Sequence, residues 1–106
     1  MQDILSQIKK IIREKLPKDA QVILYGSRAR GDYREDSDWD LLILLNKKKL
    51  DQNDYDTVSF PFVMLGSDTD TIINPILYTT DEWQKYKYAP FYENVYNDGI
   101  NLTKVG

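Results

Sequence analysis

Two short apolar runs, Val22-Ile23-Leu24-Tyr25 and Leu41 through Leu45, flank one polar stretch. That stretch opens on Gly26-Ser27-Arg28-Ala29-Arg30-Gly31 and closes on Ser37-Asp38-Trp39-Asp40. Each run is too short for an ordinary helix and nearly unbroken in apolar residues, the pattern of a strand buried on its faces. The chain must therefore place these two strands centrally and cover them with whatever else it has. The turn between them brings a glycine, a serine, arginines and two aspartates to one place.

The remaining segments can supply the cover. Ile4, Leu5, Ile8, Ile11, Ile12 and Leu16 recur at helical spacing, so residues 3–16 predict an amphipathic helix stopped by Pro17. Residues 20–25 predict the first strand and 38–45 the second. Side chains alternate along a strand, so Asp38, Asp40, Leu42 and Leu44 share one face, and Trp39, Leu41, Ile43 and Leu45 the other. Ser27 is a suitable cap for a helical turn over 27–31. Residues 50–69 predict a helix containing Tyr55, Val58, Phe60, Phe62 and Met64, with Pro61 badly placed inside it, and Gly66-Ser67-Asp68 predicts a turn. Residues 70–78 predict a third strand whose Pro75 favours an edge or a bulge. A short helix starts near Thr80, and a last helix runs from Pro90 to Gly99 with Phe91, Val95 and Tyr96 inward. The expected fold class is α/β (α+β): a small mixed β-sheet with flanking helices, one domain over residues 1–106.

Composition removes several chemistries. With no cysteine and no histidine among 106 residues, disulfides, zinc-thiolate sites, cysteine nucleophiles and Ser-His-Asp catalysis are excluded. A metal would need oxygen ligands, which selects magnesium, manganese or calcium. No apolar run approaches the roughly 20 residues of a membrane span, and charged residues interrupt the N-terminal segment, so no membrane association and a cytoplasmic location are expected. The net charge of −3 divides into +4 over residues 1–34 and −7 beyond them. An acidic balance argues against nucleic acid as partner. A basic loop beside an acidic cluster suits a phosphate bound together with a divalent cation.

The polar stretch has the parts for this. A glycine directly after a strand lets the backbone approach a ligand closely. Ser27 offers a hydroxyl and an amide to phosphate oxygens, and Arg28 and Arg30 add charge, with Arg34 as a further candidate. Asp38 and Asp40, two apart on a strand, point their carboxylates the same way. Their mutual repulsion is relieved by a divalent cation. In two-metal nucleotidyl transfer, one ion activates the attacking oxygen and the other steadies the leaving pyrophosphate. For a bare D-x-D the plain alternative is a charged strand end in solvent, and the upstream strand, Gly-Ser and arginines turn the balance toward the metal site.

Taken together, G-S-R-A-R-G followed by S-D-W-D-L-L-I resembles the signature of the DNA polymerase beta-type nucleotidyltransferase superfamily. The likeness is greatest to its minimal bacterial and archaeal members and is dense over residues 20–45. The resemblance implies a nucleotidyltransferase fold, with ATP or another nucleoside triphosphate as substrate and Mg2+ or Mn2+ as cofactor. It implies Gly26 and Ser27 at the triphosphate, and Asp38 and Asp40 as catalytic metal ligands. In the family pattern a third acid comes from a later strand. Aligning Ile73-Asn74-Pro75-Ile76-Leu77-Tyr78 with that strand puts Asn74 in its place, with Asp68 or Asp70 as substitutes under another register. An amide can ligate a cation but carries no charge and cannot act as a base. The resemblance further implies AMP transfer to a hydroxyl of a protein partner, and pairing as antitoxin with a HEPN-type toxin. The alternative is a nucleotide- or partner-binding module with weak or no catalysis, for which the aromatic-rich segment from Trp83 to Tyr96 offers either core or docking surface.

Overall fold

A computed structural model describes residues 3–103. Helix α1 (Ile4–Lys15) starts at Asp3, whose carboxylate accepts from the Ser6 amide at 3.1 Å and from its hydroxyl at 2.7 Å. Then follow β1 (Gln21–Tyr25), the single turn α2 (Ser27–Arg30) and β2 (Trp39–Leu45). Next come α3 (Gln52–Asp54), a π-helical turn (Tyr55–Ser59) and α4 (Phe60–Asp68). The last described elements are β3 (Ile73–Thr79), α5 (Thr80–Gln84), α6 (Pro90–Asp98) and a two-residue strand β4 (Ile100–Asn101).

The four strands form one mixed sheet in the order β3-β2-β1-β4. β1 runs antiparallel to β2 and β4, whereas β2 and β3 are parallel. A parallel pair needs a crossover, and the α3–α4 helical segment supplies it. Both central strands are covered on both faces, as their apolar runs require. Val22, Leu24, Leu41, Ile43 and Leu45 face Ile8 of α1 and Phe62 of α4, and both of those are fully buried. Removing either side chain from water contributes about 2–3 kcal/mol. Leu42 and Leu44 face the other way, onto Trp83 of α5 and Val95 of α6.

Several expected boundaries move, each for a physical reason. Gly26 caps α2 and Ser27 is its first helical residue. The expected turn at 66–68 is the end of α4. Gly66 is there because a Cβ would stand 2.6 Å from the Thr71 carbonyl oxygen. The reversal falls later, at Asp70, whose φ of +53° lies in the left-handed region. Pro61 is accommodated because the helix changes period just before it. The Phe60 amide reaches back to the Tyr55 carbonyl, a π-type bond, and Pro61 then sits in the first turn of α4, where a missing N–H costs little. Thr80 does open α5, as expected, and Thr79 caps it in a reciprocal box with Glu82. Tyr96 faces solvent, 80% exposed, and Tyr92 stacks on Trp83 instead.

Pro75 lies on β3, at the edge of the sheet. The Trp39 amide donates to the Ile72 carbonyl at 2.9 Å, so even-numbered residues of β3 present their backbone to β2. Pro75, at an odd position, has its missing donor on the outer side.

Candidate functional site

Strand pairing draws the site's residues into a row across the sheet. Tyr25 is registered with Asp40 on the antiparallel neighbour, and Asp40 with Asn74 on the parallel one. Asp38 lies just before β2, on the same side as Asp40. The Asn74 amide nitrogen donates to Asp38 Oδ2 at 3.1 Å and to Asp40 Oδ1 at 3.2 Å. Both carboxylates therefore converge on one small group, as the two-residue spacing predicts.

Gly26 stands over this row. Its φ of +78° and ψ of −161° fall in a region that is in effect reserved for glycine. A Cβ there would meet Asp40 Oδ2 at 2.5 Å. The glycine thus serves both the turn and the close approach of backbone to carboxylate. Ser27 and Arg28 follow at the start of α2, where amides have no intrahelical acceptor.

The arginines differ from one another. Arg30 is exposed and pairs with Asp32 at 3.3 Å, a surface contact worth about 0–1 kcal/mol. Arg28 is half-buried and turned the other way. Its Nε and one Nη donate to the Ser37 carbonyl at 3.3 and 3.2 Å, and the same Nη donates to the Glu35 carbonyl at 2.9 Å. Its guanidinium carbon lies 4.3 Å from the Tyr33 ring centre and 4.6 Å from that of Trp39. The sequence expectation had no place for this arrangement. The only signal for it was a cation followed at five and eleven residues by aromatics, which is too common to single out.

Tyr25 was also not foreseen as a neighbour of the carboxylates, because the register follows from the pairing of β1 with β2. Burial, then the negative charge of Asp40 and the proximity of Tyr78, push its phenol up to about 12. Phe91 of α6 packs edge-on against its ring at 5.3 Å.

A divalent cation fits the donors present. Two carboxylates and an amide offer oxygen only, as magnesium and manganese prefer. The Asn74 NH2 group, a pair of partial positive charges between two carboxylates, stands where a cation would sit. Turning the amide over would present Oδ1 in its stead. The set stays at two acids: among the described residues, no three His, Cys, Asp or Glu side chains gather into a metal-holding group, so Asp68 and Asp70 do not join. Also among the described residues, no helix is long and apolar enough to cross a membrane.

Comparison with known proteins gives matching results. A family model described as nucleotidyltransferase domain matches residues 5–95. The "putative protein adenylyltransferase" of Methanocaldococcus jannaschii is 32% identical over 104 residues, covering 94% of this chain and 96% of that protein. Among solved structures, a toxin–antitoxin with AMP-PNP aligns with a TM-score of 0.61 at 23% identity, over 92% of this chain and 71% of that one. A tri-AMPylated Shewanella oneidensis HEPN toxin in complex with MNT antitoxin aligns at 0.55 and 20% identity, over 93% and 68%. At such identities the structural likenesses establish a common fold.

Proposed function

Because this chain belongs to the nucleotidyltransferase domain family, we propose that it transfers AMP from ATP to a hydroxyl of a protein partner. The observation that carries the proposal is the convergence of Asp38, Asp40 and Asn74 beside the Gly26 turn. In the transfer, the partner's hydroxyl oxygen bonds to the α-phosphorus and the bond from that phosphorus to the β-bridging oxygen breaks. Pyrophosphate leaves, and the hydroxyl proton passes to a carboxylate or to water. Asp38 and Asp40 would hold Mg2+ or Mn2+, with Asn74 as neutral third ligand. That cation would offset the charge of the triphosphate. Gly26 lets the backbone come close to the triphosphate, Ser27 offers it an amide and a hydroxyl, and Arg30 can release Asp32 to reach it.

The reading of the partner as a protein rests on the relatives. The M. jannaschii relative is named for protein adenylylation, and both structural neighbours are toxin–antitoxin assemblies, one with an AMPylated HEPN toxin. These support an antitoxin acting on a HEPN-type toxin.

The test is to incubate the purified chain with Mg2+, α-labelled ATP and the protein of its neighbouring gene. Label should pass to the partner and be abolished by Asp38→Asn. A second reading, a binding module without catalysis, is favoured by the neutral Asn74. Intact ATP binding with no labelled partner would establish it in place of the first.

A further inference from the structure

Arg28 is the most heavily restrained cation near the site among the described residues, and its partners are two backbone carbonyls and two aromatic rings, none of them a metal-ligating group. Its fork closes on the carbonyls of Glu35 and Ser37, and its plane lies against two rings. Ser37 is itself tied back: its hydroxyl accepts from the Arg34 amide at 2.8 Å and its own amide donates to the Arg34 carbonyl at 3.0 Å. The next residue is Asp38, and the one after it, Trp39, is both the first residue of β2 and one of the two rings. The guanidinium therefore grips the chain on both sides of Asp38.

We propose that Arg28 is a positioning residue, which holds the 33–39 loop shut and so sets Asp38 opposite Asp40 and Asn74. The inference rests on the reading of those residues as a cation site. The alternative for Arg28, a direct contact to phosphate, would require it to leave three hydrogen bonds and two aromatic faces. Arg30, with a single exposed partner, has no such tie. Lysine could replace the charge of Arg28 but not the grip, because an ammonium lacks the planar fork that serves two carbonyls while stacking on rings.

The experiment uses the 106-residue chain in four forms: wild type, Arg28→Lys, Tyr33→Ala and the double variant. Two quantities are read. One is hydrogen exchange of the amides of residues 33–40, with those of Leu42–Leu44 in the buried strand as a control for folding. The other is affinity for Mn2+ alone, without nucleotide. The expected result is faster exchange in the loop and Mn2+ binding weakened about tenfold in Arg28→Lys, with the β2 core still protected. Tyr33→Ala should move both readouts in the same direction, and the double variant should be little worse than Arg28→Lys, because both changes release one clamp. Unchanged loop exchange and Mn2+ affinity in Arg28→Lys, together with weaker ATP binding, would overturn the proposal in favour of phosphate contact. Wild-type protein that binds no Mn2+ would instead overturn the cation reading beneath it, whatever the loop does.

Discussion

Asn74 and Asp40 occupy registered positions on neighbouring parallel strands, with the amide nitrogen of one 3.2 Å from the carboxylate of the other. The same nitrogen serves Asp38. A neutral donor thus relieves the repulsion of two acids at the point where a third acid would add to it.

Asn74→Asp should reverse that balance. The variant loses two charge-assisted hydrogen bonds and gains a third negative charge, so the metal-free protein should melt lower. With Mn2+ it should recover and bind the ion at least tenfold more tightly, a change of about 1.4 kcal/mol. Thermal melts with and without Mn2+ read both effects. Tighter binding accompanied by faster AMP transfer would identify Asn74 as a brake on catalysis. A variant that binds Mn2+ no better than wild type would remove Asn74 from the site.

Gly26→Ala and Gly31→Ala form a matched pair. Both glycines have positive φ, +78° and +89°. Either alanine should cost about 1–3 kcal/mol of backbone strain. At Gly31 a Cβ meets nothing within 4 Å, whereas at Gly26 it meets the Asp40 carboxylate at 2.5 Å. Only Gly26→Ala should therefore also abolish Mn2+ binding. Equal effects of the two on Mn2+ would show that the glycine serves the turn alone.

Tyr25 makes stability fall at alkaline pH. Its phenol is raised to about 12 against an ordinary value of 10.0, by burial first and by Asp40 second. Below pH 10 the folded and unfolded chains both keep the proton. Between about 10 and 12 the unfolded chain releases it and the folded chain does not, so stability is lost as pH rises. Denaturant titrations across this window should show a slope that Tyr25→Phe reduces. An undiminished slope would place its origin in other groups.

Asp54 should matter more to stability than an ordinary surface carboxylate does. It is only 7% exposed, accepts from the Asp51 amide and from Lys47 Nζ, each at 2.8 Å, and completes the box that starts α3. Burial pushes its carboxyl up, but Lys47 and the Asp51 amide outweigh this and hold it below the ordinary 3.8. Asp54→Asn should cost about 1–2 kcal/mol. In the wild type that contribution is present above about pH 4 and lost as the pH falls below it. A variant as stable as wild type at neutral pH would assign the local hold to Asp51 alone.

The sequence was most legible where a residue's role depends on its immediate neighbours. The alternation around Asp38 and Asp40 sorted β2 correctly onto its two faces: Leu42 and Leu44 pack on α5 and α6, and Leu41, Ile43 and Leu45 on α1 and α4. Pro75 favoured an edge or a bulge and lies on the edge strand, and Pro90 and Gly99 bracket α6. What stayed hidden depends on partners distant in sequence or on changes of helical period. The resemblance put Asn74 in the acid's place, but its bond to both aspartates needed the parallel register. Tyr25 needed the antiparallel one. The Arg28 clamp needed the path of the loop, and Gly66 looked like a turn because close packing and reversal use the same residue. Tyr96 shares the helical spacing of Phe91 and Val95 closely enough to pass for core, yet the helix turns it outward.

The proline on β3 bears on how this protein behaves in a crowded solution. An open sheet edge offers unpaired amides and carbonyls, to which further copies can add strand by strand. Here both margins are blunted, one by Pro75 with its donor missing on the outer side and the other by a strand of two residues. The strand that carries Asn74 can thus remain the last in its sheet, leaving the row of site residues open at one end for an incoming molecule without inviting fibrous self-assembly.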